Sequence, residues 1–305
     1  MGVSNAQSFN WRDWLTDRGA RGLIGLARAL PYTARVPMMG WLMRRVVGPL
    51  TGARGRALAN LAHVWPGLPD ERANDIANRM MENVGRTLIE NYSTSDLLAR
   101  AEAWDPSGPG VAALAEAQAA GRPVLLITGH FGNYEAARAA LTVRGYSIGG
   151  LYRPMNNGYF NRHYVATMES FGGPVFPRGP KGVGKFVRHL RSGGQGVLLT
   201  DQYFAAGEQL DFLGKSAPTS LSAAEMALKY DALLIPFYAR RLEGGLDFDV
   251  TLEAPIAHSD AKTMTQALND SLAAQVTQHP EQWFWIHRRW KPGRQARYFR
   301  TANED

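Results

Sequence analysis

The chain has 305 residues, 45% hydrophobic and 20% charged, enough to bury a sizeable core as one large domain or one domain with an appendage. It has no cysteine, which excludes disulfides, thiolate catalysis and cysteine-ligated metals and fits a reducing compartment. The net charge of +7 sits at the two ends, which suggests an anionic partner surface, either phospholipid head groups or nucleic acid.

Residues 1–62 hold nine arginines against Asp13 and Asp17, in a helical pattern interrupted by Pro31 and Pro37. Leu23, Ile24, Leu26, Ala27 and Leu30 alternate with Arg21 and Arg28, and Met38 to Met43 is apolar ahead of Arg44 and Arg45. No window reaches the roughly 18 uncharged apolar residues that a spanning helix needs, and no signal-peptide cleavage pattern is present. Trp11, Trp14 and Trp41 interleaved with arginines suit helices lying in a membrane interface. The bland alternative is a helical cap packed on the body, and both readings can hold together. The expected division is a basic, amphipathic, membrane-associating helical region over residues 1–56 and a second domain over residues 57–305.

From Pro69 the chain predicts a long helix, with Ile76, Met80, Val84, Leu88 and Ile89 at helical spacing, and a second helix over about 109–120. Strand and helix patterns then alternate. Strands are expected at 124–127, 147–152, 174–176, 196–201 and 232–238, with an edge strand at 246–253. Helices are expected at 134–141, 157–171, 181–190, 221–230 and 263–278. This order predicts an α/β fold with a mainly parallel central sheet flanked by helices.

Val124 to Ile127 reads as a buried strand, stopped by Gly129 and Gly132, so His130 and Glu135 fall at a strand-to-helix turn. Open α/β sheets keep their ligand sites there. Within one helix, residues five apart point in different directions. With a glycine-containing turn between them, a carboxylate can fold onto the imidazole, fix its tautomer and leave the other nitrogen as a general base. The plain alternative is a capping histidine and a surface glutamate. Arg153 and Asp201 each end a later strand and should face the same crevice. Arg153 suits a phosphate or developing negative charge. Asp201 either orients Arg153 or binds an acceptor, or else caps a loop, and the sequence leaves these open. Arg178, Lys181, Lys185 and Arg188 form one basic helical face that suits an acidic carrier protein or phosphates, or is a solvated charged face. No Walker loop, Gly-x-Ser-x-Gly elbow, paired-histidine metal spacing or dinucleotide fingerprint is present.

Gly129-His130-Phe131-Gly132-Asn133-Tyr134-Glu135, a histidine and an acid with four residues between them, resembles the motif of glycerolipid-type acyltransferases. With Asn133 it is particularly similar to the lipid A biosynthesis lauroyl/myristoyl (late) acyltransferases. Tyr152-Arg153-Pro154, then Asp201-Gln202 with Phe212-Leu213-Gly214, and Gln282 to Trp290 resemble further elements of that family in the same order. The resemblance spans roughly residues 57–292.

The resemblance implies acyl transfer from acyl carrier protein to a hydroxyl of a lipid A precursor, a phosphorylated, Kdo-bearing glucosamine disaccharide. No cofactor, metal or nucleic acid is implied. The expected place is the cytoplasmic face of the bacterial inner membrane, monotopic or peripheral, because the arginine-interrupted N-terminal helices depart from the clearer spanning helix of many members. His130 is the expected general base and Glu135 its partner. Backbone N–H groups near Gly132 and Asn133, or Arg153, are the expected oxyanion donors. His287 is expected to be a buried structural residue. The rivals are the same chemistry on another glycolipid such as a phosphatidylinositol mannoside, a thioesterase in which water replaces the hydroxyl, and a basic membrane- or nucleic-acid-binding protein.

Overall fold

The computed structural model describes residues 10–291; Arg294, Arg297 and Arg300 of the basic C-terminus lie outside them. The helices α1 (Trp11–Arg28), α2 (Tyr32–Leu42), α3 (Gly48–Leu50), α4 (Ala53–Val64), α5 (Asp70–Asn91), α6 (Thr94–Ala101) and α7 (Gly110–Ala119) come first. The α/β part follows as β1 (Val124–Thr128), α8 (Tyr134–Thr142), β2 (Ile148–Tyr152), α9 (Gly158–Glu169), β3 (Val175–Pro177), α10 (Pro180–Arg191) and β4 (Gln195–Leu199). It ends with β5 (Glu208–Phe212), β6 (Lys215–Thr219), α11 (Ser222–Tyr230), β7 (Leu233–Arg241), β8 (Phe248–Leu252) and α12 (Ala261–Gln278).

A six-stranded sheet has the order β3-β2-β4-β1-β7-β8, parallel except for the antiparallel edge strand β8. The expected α/β architecture is therefore observed. β1 is buried along its whole length because both of its faces are covered. Val124 and Leu126 pack with Leu114 of α7 and the alanines of α8, whereas Leu125 and Ile127 pack with Phe186, Ala224 and Leu268 of α10, α11 and α12. This two-residue alternation between two apolar layers is why β1 reads as a continuous apolar run. The four alanines of α8 let that helix lie close against the sheet.

A third apolar cluster joins α4 and α5 to Phe212, Tyr238, Trp283, Trp285 and Trp290. The C-terminal tryptophans are thus packed inside. α2 lies against α5, and a buried Arg35 on α2 pairs with Asp96 of α6. Pro37 stands inside α2 and does not end it. A mid-helix proline costs about 3 kcal/mol, and the burial of Val36 beside Ile89 offsets part of that cost.

The hairpin of β5 and β6 is not among the expected elements, which pass from the strand at 196–201 to the helix at 221–230. Its two-residue turn is Leu213 and Gly214, both at positive φ (56° and 73°). Such turns are usually announced by asparagine, aspartate or glycine in the first position, and leucine announces nothing.

Candidate active site

β1 and β4 are parallel neighbours, with Thr128 opposite Leu199. Carried two residues past the end of each strand, the same register sets His130 opposite Asp201. Asp201 Oδ1 lies 2.8 Å from His130 Nδ1, and Asp201 Oδ2 accepts the His130 backbone N–H at 2.7 Å. The Trp283 indole N–H donates to that same Oδ2 at 2.9 Å. Asp201 is buried, whereas the His130 side chain keeps 22% of its surface exposed. Burial by itself raises the Asp201 carboxyl, but the His130 charge and the two His130 hydrogen bonds outweigh it and hold the group well below the usual carboxylate range. An ionised carboxylate on Nδ1 keeps the proton there and leaves Nε2 as the basic nitrogen.

Glu135 does not take the place expected for it. Asn133 caps α8 by accepting the Glu135 N–H at 3.1 Å, which makes Glu135 part of the first helical turn. Its carboxylate pairs with Arg138 one turn later at 3.2 Å, both groups being buried. Burial raises its pKa, and the Arg138 charge only partly offsets this. The helix therefore directs Glu135 onto Arg138, and the imidazole is held from the neighbouring strand.

The backbone N–H groups near Gly132 and Asn133 are not open to an oxyanion either. Gly132 donates to Gln282 O at 2.8 Å and Asn133 to Ala239 O at 3.2 Å. The turn is pinned because Gly132 sits at φ +55°, and a Cβ there would come within 1.9 Å of Ala239 O. At Gly129 a Cβ would meet Leu272 at 2.6 Å and Asp201 Oδ2 at 3.0 Å, so glycine lets the carboxylate approach the backbone. Behind the turn, the Asn133 amide donates to Glu90 at 2.9 Å, and Arg241 grips both Glu90 oxygens at 2.5 and 2.7 Å.

The C-terminal run forms the remaining wall. The Phe284 N–H donates to His130 O at 2.9 Å, and Phe131 bridges to Trp283. Asn60 holds the run from outside by donating to the carbonyls of Trp285 and His287. The His287 ring lies edge-on to His130, 4.8 Å between centroids. Among the described residues no three His, Asp or Glu side chains gather as metal ligands.

A buried carboxylate, an imidazole whose Nε2 faces the Gln202 amide and an enclosing tryptophan run lie together at the carboxyl ends of parallel strands, an arrangement suited to general-base chemistry. A family profile described as bacterial lipid A biosynthesis acyltransferase matches residues 8–292. The chain belongs to this family. It is 25% identical to a lipid A biosynthesis acyltransferase of Haemophilus influenzae over 284 residues, which cover 90% of this chain and 86% of the relative. It is 23% identical to the lipid A biosynthesis lauroyltransferase of Escherichia coli (strain K12) over 92% of each. A phosphatidylinositol mannoside acyltransferase of Mycobacterium tuberculosis is 25% identical over 239 residues, 76% of this chain and 75% of that one. The protein is an acyltransferase.

In this acyltransferase Arg153 follows β2, the strand on the far side of β4 from β1, and its side chain is exposed. Arg178 is tied to the same corner by its backbone N–H, which donates to Tyr152 O at 2.8 Å. Arg178, Lys181, Lys185 and Arg188 are all exposed, on and just ahead of α10, which starts at the carboxyl end of β3. Arg153, Arg178 and Lys181 thus share the cleft edge, while Lys185 and Arg188 run away from it along the helix. Glu90, Arg241 and Trp283 carry no local pattern that marks them. Gln202 stands beside Asp201 in the same strand-end dipeptide, the one signal by which it could have been found.

Proposed function

We propose that the chain transfers a fatty acyl group from acyl carrier protein to a hydroxyl of a phosphorylated, Kdo-bearing lipid A precursor. His130 is the general base and Asp201 the carboxylate that orients its ring and balances its charge. The observation that carries this reading is the 2.8 Å contact of Asp201 with His130 Nδ1, which leaves Nε2 for the acceptor hydroxyl. The hydroxyl oxygen attacks the thioester carbonyl as its proton passes to Nε2, and the departing thiolate receives that proton. No hydroxyl or thiol of the protein is among the described hydrogen-bond partners of His130, in keeping with direct attack.

The donor reading is supported by the exposed basic edge of Arg153, Arg178 and Lys181, which suits an acidic carrier. Attachment to the cytoplasmic face of the inner membrane is supported by α1, which exposes Trp11, Trp14, Leu15, Leu23 and Leu26 beside Arg12, Arg18 and Arg21. α1 packs on α9, where the Asn157 amide donates to Asp13 O at 2.7 Å, and α9 begins just after the Arg153 corner. Trp11 and Trp14, flanking Asp13, therefore lie at the end of α1 nearest the Arg153 corner. No helix among the described residues is long and apolar enough to cross a membrane.

The relatives named phosphatidylinositol mannoside acyltransferases favour one second reading, the same chemistry on another glycolipid hydroxyl. The test is transfer of label from acyl-acyl carrier protein, in detergent, with the lipid A precursor, with a phosphatidylinositol mannoside, or with no acceptor. Label on the disaccharide supports the proposal, label on the mannoside supports the second reading, and label released as free acid means a thioesterase.

A further inference from the structure

With the Gly132 and Asn133 N–H groups bonded to Gln282 and Ala239, the oxyanion of the acyl transfer needs a donor from elsewhere. One side chain lies at the reactive nitrogen. Gln202 Nε2 is 3.5 Å from His130 Nε2 and 3.4 Å from His287 Nε2. A carboxamide nitrogen carries two N–H groups, and two neutral imidazole nitrogens accept one each. Both contacts are long, so the amide is lightly held and easily shifted. The Gln202 side chain is exposed at the cleft, but its frame is fixed, because the preceding residue is the buried Asp201.

His287 is built to stay in place. Its backbone N–H donates to Phe284 O at 3.2 Å, its carbonyl accepts from Asn60 at 2.8 Å, and its ring lies 4.6 Å from that of Phe284. Burial, with help from the His130 and Lys291 charges and against that of Asp201, lowers its pKa to about 4. At neutral pH it is an acceptor and not a second cation.

We propose that Gln202 donates the hydrogen bond that stabilises the oxyanion, and that His287 is the positioning residue that aims its amide. The inference rests on the acyl-transfer reading given above. In the resting site one Gln202 N–H points at His130 Nε2. When the acceptor hydroxyl takes that nitrogen, the N–H is released toward the thioester carbonyl beside it, while the other N–H stays on His287. The new C–O bond forms as the hydroxyl proton moves to Nε2. The carbonyl electron pair moves to the oxygen held by Gln202, and collapse breaks the C–S bond and returns the proton from Nε2 to the thiolate. Negative charge then meets a neutral amide preset by a neutral imidazole.

The experiment measures transfer by the full-length protein in detergent, with acyl-acyl carrier protein and the acceptor that the wild type uses. The variants are Gln202→Ala, Gln202→Glu, His287→Ala, His287→Gln and the double alanine variant, with thermal melts run alongside. Gln202→Ala should lose about 10²–10³-fold in kcat with little change in KM, the usual effect of removing one oxyanion donor. Gln202→Glu, which has the same shape and no donor, should lose at least as much. His287→Ala should lower kcat in the wild-type background and add little to Gln202→Ala, whereas His287→Gln, which still offers an acceptor oxygen, should restore part of the rate. A Gln202→Ala enzyme with a wild-type kcat, a loss confined to KM, or independent effects of the two alanines would each overturn the inference. Wild-type protein that transfers acyl groups to no hydroxyl acceptor would overturn the acyl-transfer reading itself, and the inference with it.

Discussion

Asp201 holds His130 at two points, with one carboxylate oxygen on the ring Nδ1 and the other on the backbone N–H, at 2.8 and 2.7 Å. The first contact sets the tautomer and the second fixes where the residue leaves β1. Ring and main chain are therefore positioned by one buried charge, which Trp283 steadies from the C-terminal run.

Because Glu135 and Arg138 are a buried pair and burial already disfavours the Glu135 charge, Arg138→Met should leave that carboxylate without a counter-charge and cost about 3–5 kcal/mol. Chemical denaturation reads this directly as a lower midpoint with an unchanged slope. A midpoint equal to that of the wild type would mean that the pair carries no stability.

Gly132 and Gly145 offer an internal contrast, since both have positive φ (55° and 88°). A Cβ on Gly145 meets nothing within 4 Å, whereas on Gly132 it meets Ala239 O at 1.9 Å. Gly145→Ala should cost about 1–2 kcal/mol from backbone strain alone. Gly132→Ala should cost clearly more and also displace the His130 turn, so activity should fall with stability. Equal effects in melts and rate assays would remove the steric argument.

Much of this was legible in the sequence, and the exceptions share a cause. Apart from α6 (Thr94–Ala101), for which the sequence predicts no helix, and the β5–β6 hairpin, the strands and helices from Asp70 to Gln278 show clear periodicity because the central sheet is covered on both faces, as Val124 to Ile127 illustrate. His130, Asp201 and Arg153 could be placed at one crevice because parallel strands end together. The partner of His130 could not be deduced, since Asp201 is distant in sequence and becomes opposite only through the β1–β4 register. Glu135 was the local candidate, and helix geometry turned it onto Arg138. The approach of the His287 ring to His130 could not be read, because nothing in the tryptophan-rich run shows that it folds back against the His130 turn. The β5–β6 hairpin was missed because Leu213 occupies a left-handed position that leucine rarely takes.

The lowered pKa of His287 has a sign that can be checked. A histidine near 4 in the folded chain and near 6.5 when unfolded leaves stability intact above about 6.5. As the pH falls from 6.5 to 4, the unfolded state takes up the proton first and stability declines, by up to about 3 kcal/mol from this residue. Other groups titrate in the same window: His163 and His279 are also lowered by burial, and the raised Glu135 acts in the opposite sense. The informative quantity is therefore the difference between wild type and His287→Gln, measured by denaturation from pH 7 to pH 4. The variant should lose less stability than the wild type; parallel curves would contradict the assignment.

If α1 lies on the membrane, its exposed tryptophans supply apolar contact and its arginines an attraction that salt screens. Trp11→Ser with Trp14→Ser should weaken sedimentation with anionic vesicles by about tenfold or more, since each large apolar side chain returned to water costs about 1.5–3 kcal/mol. Transfer to acceptor in detergent micelles should change little. Unaltered vesicle binding would leave α1 as a cap on α9.

The most direct test of the account is a double-mutant cycle on His130 and Asp201, measured as acyl transfer from acyl carrier protein at saturating acceptor. Asp201→Asn keeps the shape and removes the charge, and should lower kcat by about 10²–10⁴-fold, as expected when the carboxylate behind a histidine base is neutralised. His130→Ala should lower it at least as far, and the double variant no further than His130→Ala alone, because the two act as one unit. A wild-type kcat in Asp201→Asn, or losses that multiply in the double variant, would show that another group charges the imidazole.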